Sequence, residues 1–247
     1  MQRFKFGLVA ALFLLVCLLV LAPARLVTVF IPAGQAQLQG VNGSLWHGTA
    51  SRAVVSTQVG ALQLGQLEWR IKPWSLLLLA PRVELRSQWG QQYLNAQLLV
   101  RGAEDIDLNA VDVRLPAELV KQVLPLELAG LVSLQASRLS VRAGVPVAAE
   151  GRLVWQQAGW RASGAIRPLG DYALELTSSE NGNIAGEVIT LSGDLVAEGG
   201  LALEGNQYSV DVLLSGPGLD DRMLQQSLQL VATPEGQNFR VKLTGAL

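Results

Sequence analysis

One cysteine and one histidine in the whole chain leave little material for metal or thiol chemistry. Cys17 sits inside an apolar N-terminal run, so everything after it has no thiol, no disulfide and no cysteine-based metal site. Further apolar residues follow Cys17, which favours a small hydrophobic side chain over a lipid-attachment role. His47 by itself cannot assemble a zinc site, and as a general base it has no acid close by in sequence. There is no GxSxG elbow, no GxxxxGK[ST] phosphate loop and no GxGxxG after a strand. Charge is also scarce: 19 basic against 20 acidic residues, 16% of the chain, with no basic stripe for nucleic acid. Glu104, Asp105 and Asp107 cluster without the ligand spacing of a calcium loop and read as an acidic turn. These absences predict no catalytic residue, no cofactor and no bound metal.

What is abundant is apolar sequence. Arg3 and Lys5 precede an uncharged run from Phe6 to Ala24, and Leu26–Ile31 extends it after Arg25. Nineteen residues at a helical rise span roughly 28 Å, close to a hydrocarbon core. The basic residues in front predict a cytoplasmic N-terminus. A cleaved signal peptide is the rival reading, with Ala22-Pro23-Ala24 as its small-residue site. The length of the run favours an uncleaved anchor over residues 1–32. Both readings export the remainder.

From residue 33 to 247 the periodicity falls toward two. Leu67, Trp69 and Ile71 alternate with Glu68, Arg70 and Lys72, and Pro73 ends that strand. Val83 and Leu85, Leu94 to Val100, Val111 to Leu115, Leu153 and Trp155, Tyr172 to Leu176, Tyr208 to Leu214 and Phe239 to Leu243 continue the pattern between short polar breaks. This predicts an antiparallel meander with one buried face. Two short helices interrupt it, over Leu115–Pro125 and Asp220–Leu230, the second with Asp220 or Asp221 at its cap. The expected fold is mainly β: an N-terminal transmembrane helix, then a curled antiparallel sheet (an open half-barrel) with two short helices. The order strands–helix–strand occurs twice, so the β-rich domain is open to division into two similar halves.

The stretch Val41–Ala50, VNGSLWHGTA, reads as a glycine-flanked strand with a packed tryptophan, since glycine disfavours helix. Trp69 and Trp155 fall on apolar sides of their strands and read as core. Trp74, followed by Leu76 and Leu77, forms an apolar patch that could pack, meet a bilayer or meet a partner.

The anchor, then Gly43, Ser44, Leu45, Trp46 and Gly48, then Leu67, Trp69, Pro73 and Leu76, resembles the type II secretion system protein N (general secretion pathway protein N) family. The similarity continues through LPAELVKQVLP, EGRLVW at 150–155 and the segment 191–214. The resemblance implies a non-enzymatic inner-membrane component in a Gram-negative bacterium. It would span the membrane once, with a periplasmic β-rich domain, and support export of folded proteins across the outer membrane. It implies partners among the other secretion components of the inner-membrane platform, and no catalytic residues. A homo-oligomer stays open. The alternative is a lipid-handling envelope protein of the AsmA-like kind, because one Leu/Val-rich sheet face would suit acyl chains. An unfilled apolar groove favours that alternative and a packed core favours a scaffold.

Overall fold

The computed structural model describes residues 14, 17, 18, 20–30, 36–57, 60–77, 80–102, 104–122, 128–162 and 165–246. The chain divides into two compact units, Met1–Trp89 and Gly90–Leu247. Both are mainly β and antiparallel, with a few short helices.

In the first unit a 3-10 turn at Ala24–Leu26 leads into α1 (Val27–Phe30). The strands are β1 (Ala36–Gly43), β2 (His47–Thr57), β3 (Gly60–Ile71) and β4 (Arg82–Trp89), and each pairs antiparallel with the next. A short helix, α2 (Pro73–Leu77), separates β3 from β4. Strand alternation delivers Leu67 and Trp69 to one face, where they join Ala24, Ala50 and Ala53 in a core flanked by Val41, Ile71 and Leu85. Alanine at Ala50 and Ala53, both fully buried, leaves room for the indole of Trp69.

The second unit is a longer meander: β5 (Gln92–Val100), β6 (Ile106–Pro116), β7 (Leu128–Arg142), β8 (Val145–Ala162), β9 (Ala165–Ser178), β10 (Ile184–Ser192), β11 (Val196–Glu204) and β12 (Gln207–Ser215). Two-residue turns close Arg142 onto Val145 and Glu204 onto Gln207, which sets the register of those hairpins. After β12, a 3-10 turn (Pro217–Asp220) and α3 (Arg222–Leu228) cross the sheet face. The small strand β13 (Thr233–Glu235) then hairpins into β14 (Asn238–Ala246), which pairs with β12 on its other side. Core clusters run along the face, one centred on Trp160, Leu195, Leu219, Leu224 and Phe239.

Three local expectations are corrected. Val41–Ala50 is not one strand: β1 ends at Gly43, the chain turns, and β2 starts at His47. Leu115–Pro125 is not an α-helix: β6 runs through Pro116, and a 3-10 helix follows at Ala117–Gln122. The ladder to β7 holds Leu115 and Pro116 in extended pairing, overriding the local helical spacing. Residues 123–125 lie outside the described residues. The short helices number more than two, since α1 and α2 are added. The expected helix over Asp220–Leu230 forms as α3, with Asp221 at its cap.

No helix among the described residues is long and apolar enough to cross a membrane. Most of Phe6–Ala24, on which the membrane helix is expected, lies outside those residues.

Candidate functional site

Gly43, Ser44, Leu45, Trp46, Gly48 and Trp69 of the family motif assemble into one clasp in the first unit, with Leu67 in the same core and Pro73 beside it. Gly43 adopts φ 94°, and a Cβ there would lie 2.6 Å from the carbonyl oxygen of His47, so the tight reversal requires glycine. Ser44 closes the turn, its Oγ accepting from the His47 N–H at 3.1 Å. The carbonyl of Leu45 accepts the indole N–H of Trp69 at 3.1 Å, and that of Trp46 accepts the Ile71 N–H at 2.7 Å. Trp69 is buried, and its six-membered ring lies so close over Gly48 that any Cβ there would collide with it. The spacing of Gly43, Leu45, Trp46 and Gly48 against Leu67 and Trp69 is therefore the geometry of the β1–β2 turn gripping β3. His47, in the middle, is exposed.

The clasp also holds the segment that leads into it. The Leu45 N–H donates to the Ala22 carbonyl at 2.8 Å, and Pro23 forms a bridge with Ser44. Ala22 and Ala24 are buried, the latter at 1% exposure against Ala50, Ala53 and Trp69. Ala22 and Ala24 are thus part of the core of this unit, with Pro23 exposed between them.

Beside the clasp, Pro73 opens α2 and Trp74 projects with 79% exposure. A shallow recess of about 490 Å³ lies between Trp46 and Trp74 and is bordered by Arg70, Lys72 and Arg82. Lys72 pairs with Glu84 at 2.9 Å, and that hydrogen bond holds the Glu84 carboxyl below its ordinary value. The side chains of Leu76 and Leu77 lie outside the described residues.

The acidic cluster becomes an ion-pair site rather than a plain turn. Asp107 is buried in β6, where Arg142 reaches it at 2.5 Å and Arg101 at 2.9 Å. Burial by itself would raise its carboxyl, but hydrogen bonds from Arg142 and Ser140 and the charges of both arginines hold it below the ordinary value. Asp105 accepts from the Ala143 N–H at 3.2 Å. No group of three metal-ligating side chains occurs among the described residues.

A second feature is an apolar cleft of about 750 Å³ in the second unit, between the sheet face and α3. Trp155, Trp160, Leu169, Tyr172, Leu195 and Leu228 are among its walls. Strict alternation puts Trp155 and Trp160, five residues apart, on opposite faces of β8. A bulge shifts the register between Trp155 and Ala158 and brings both to the same cleft. Gln157 in that bulge takes φ 49°, and its N–H donates to the Asp171 carboxylate at 2.6 Å. That bond, with a second from Ser192 Oγ at 2.8 Å, lowers the Asp171 pKa. Tyr172 donates from its hydroxyl to the Leu195 carbonyl at 2.8 Å, and burial pushes its phenol up to about 12. Trp155 ends the segment EGRLVW, and Leu195, Ala197 and Leu214 fall in the segment 191–214, but no pattern within those segments marks a cleft wall. The one signal was the pair of tryptophans in β8, obscured by the bulge.

The comparisons with known proteins agree on one family. The family model described as type II secretion system (T2SS), protein N, matches residues 34–242. A curated relative from Aeromonas hydrophila, type II secretion system protein N, is 36% identical over 264 aligned positions, covering 97% of this chain and 98% of the relative. No solved structure matches the chain. With the family model matching residues 34–242 and the relative aligned almost end to end, the chain belongs to the type II secretion system protein N family.

Proposed function

We propose that this protein is a non-catalytic accessory component of the type II secretion system, held in the inner membrane by its N-terminal segment. Its β-rich units would then lie in the periplasm, where they meet other components of the inner-membrane platform and support export of folded proteins. Family membership supports the secretion role. The observation that carries the membrane seating is the burial of Ala22 and Ala24 in the core of the first unit. Cleavage after Ala24 would strip the Leu45 N–H of its acceptor and uncover Ala50 and Trp69, so the apolar run before residue 22 fits an anchor that stays attached.

The exposed face beside the clasp agrees with this. Trp74 stands out of α2 next to the exposed cations Arg70 and Arg82, the pairing of aromatic ring and positive charge suited to a headgroup layer. Its apolar body and the guanidinium groups would rest against anionic lipid close to where the anchor enters.

Fractionation combined with a secretion assay tests the reading. The full chain is expected to resist carbonate extraction, to keep its own N-terminus, and to restore export in cells lacking it. Exported proteins should otherwise collect in the periplasm. A soluble periplasmic chain beginning after Ala24 would overturn the anchor, and unaltered export in its absence would overturn the secretion role.

A further inference from the structure

The cleft in the second unit is lined mainly by apolar side chains, and several of its polar ones are engaged within the fold. The Trp155 indole N–H donates to the Ala129 carbonyl at 3.0 Å, the Tyr172 hydroxyl to Leu195, and Ser227 Oγ to the Met223 carbonyl at 3.1 Å. What they present to the cleft is ring and aliphatic surface. Interiors are normally packed without such spaces, and a volume of about 750 Å³ falls within the roughly 300–1,000 Å³ typical of ligand pockets.

The cleft also has a polar end. Val241 and Leu243 alternate with Arg240 and Lys242 along β14, so the two pairs point to opposite faces of the sheet, yet all four line the cleft. Both faces can reach one cavity only at a strand edge. Here β13 pairs with β14 at Asn238, Phe239 and Arg240, and among the described residues nothing pairs on that side beyond them. The cleft therefore opens along the free edge of β14. The charged side chains lining it among the described residues are both cations. Arg240 is engaged by Asp211 at 2.6 Å and by Glu235 at 3.4 Å, whereas Lys242 is exposed and makes no ion pair among the described residues.

We propose that this cleft binds an acyl chain, with the anionic head of the same lipid at Lys242 on the open edge of β14. A hydrocarbon chain needs no hydrogen-bond partner inside the cleft, and the walls are mainly apolar. A peptide lodged at the same depth would leave its N–H and C=O groups unmet except along the edge itself. The negative head meets Lys242 at the mouth; Asp211, across the ladder from Lys242, has both carboxylate oxygens bonded by Arg240, which also engages Glu235. The shared chemistry is an acyl chain with a carboxylate or phosphate head, and this inference stands independently of the role in secretion.

The test uses the full chain in cells fed a diazirine-bearing sixteen-carbon fatty acid, followed by photolysis, purification and mass spectrometry. Adducts are expected on peptides containing Trp155, Leu195 and Leu243. Leu214→Trp and Leu228→Trp, which fill the cleft from β12 and from α3, should each cut these adducts by roughly ten-fold or more, consistent with loss of a few buried methylenes, and leave adducts elsewhere on the chain unchanged. Retained protease resistance identifies which of the two variants is folded. Lys242→Glu should lower the yield with the cleft intact. In competition on the purified chain, a twelve-carbon acid should need roughly a hundred-fold more than a sixteen-carbon one. The mass of the adduct separates a free fatty acid from a phospholipid. Adducts missing from the cleft, or unaffected by both filling variants, would overturn the proposal. So would a photocrosslinker at Leu243 that captures a polypeptide rather than a lipid.

Discussion

Trp69 and Gly48 show how much of the first unit rests on two side chains. The indole is buried, gives its N–H to Leu45, and lies against a residue that has no Cβ. Gly48→Ala forces the ring or the turn to move, and overpacking of this kind costs about 1–3 kcal/mol. Trp69→Phe keeps most of the apolar volume and leaves the Leu45 carbonyl without its donor, for about 1–2 kcal/mol. Urea unfolding followed by tryptophan fluorescence is expected to show a lower midpoint for both, with Gly48→Ala the worse. At Asp107 the effect depends on pH. Its carboxyl is held below the unfolded value by Arg142 and Arg101, so the stabilisation is present above the unfolded pKa and is lost as pH falls through the folded one. Asp107→Asn should cost about 1–3 kcal/mol near neutrality and progressively less in acid, where the two unfolding midpoints converge.

At the scale of the element, α3 is the piece most dependent on its cap. It is a short helix, and Asp221 accepts from the Met223 N–H at 2.9 Å and the Leu224 N–H at 3.4 Å while also pairing with Arg167. A helix of this length is not stable alone, so its packing through Leu224 and Leu228 and its cap must hold it together. Asp221→Ala should cost about 1 kcal/mol. Hydrogen exchange is expected to speed up at Met223 and Leu224 well before the β-ladders respond. Because α3 forms one wall of the apolar cleft, the same variant should also loosen the cleft. The β8 bulge has a comparable dependence. Asp171 accepts from Gln157 and Ser192, and Asp171→Ala removes both bonds. The indole environments of Trp155 and Trp160 should then change in near-ultraviolet dichroism with little change in strand content.

At the scale of the whole molecule, the two compact units carry different features. The first holds the clasp, the exposed Trp74 and the docked residues 22–24, and the second holds the buried Asp107 pair and the apolar cleft. Replacing residues 1–24 with a cleavable signal sequence removes Ala22 and Ala24 from the first core. Such a chain is expected to lose protease resistance in the first unit while the second stays resistant, as read by the fragments of a limited digest. Equal resistance in both units would mean that residues 22–24 contribute nothing to the fold.

Sequence by itself was enough for the β-rich character, the strand end before Pro73 and the helix at α3 with its aspartate cap, because period-two alternation and capping residues act over a few neighbours. The family resemblance rested on the order of its motifs along the chain. Sequence was also enough to bring Gly43, Leu45, Trp46, Gly48 and Trp69 to notice, though it made a strand of what is a turn. Only the tertiary structure decided the rest. The ladder between β6 and β7 turned the start of a helical pattern into extended chain, the bulge at Gln157 reversed the parity of Trp160, and the free edge of β14 brought residues of both faces to one cleft. Each outcome depends on partners more than a dozen residues away. A local pattern carries the preference of a segment, whereas pairing, register and the space left between elements are settled by what the segment meets.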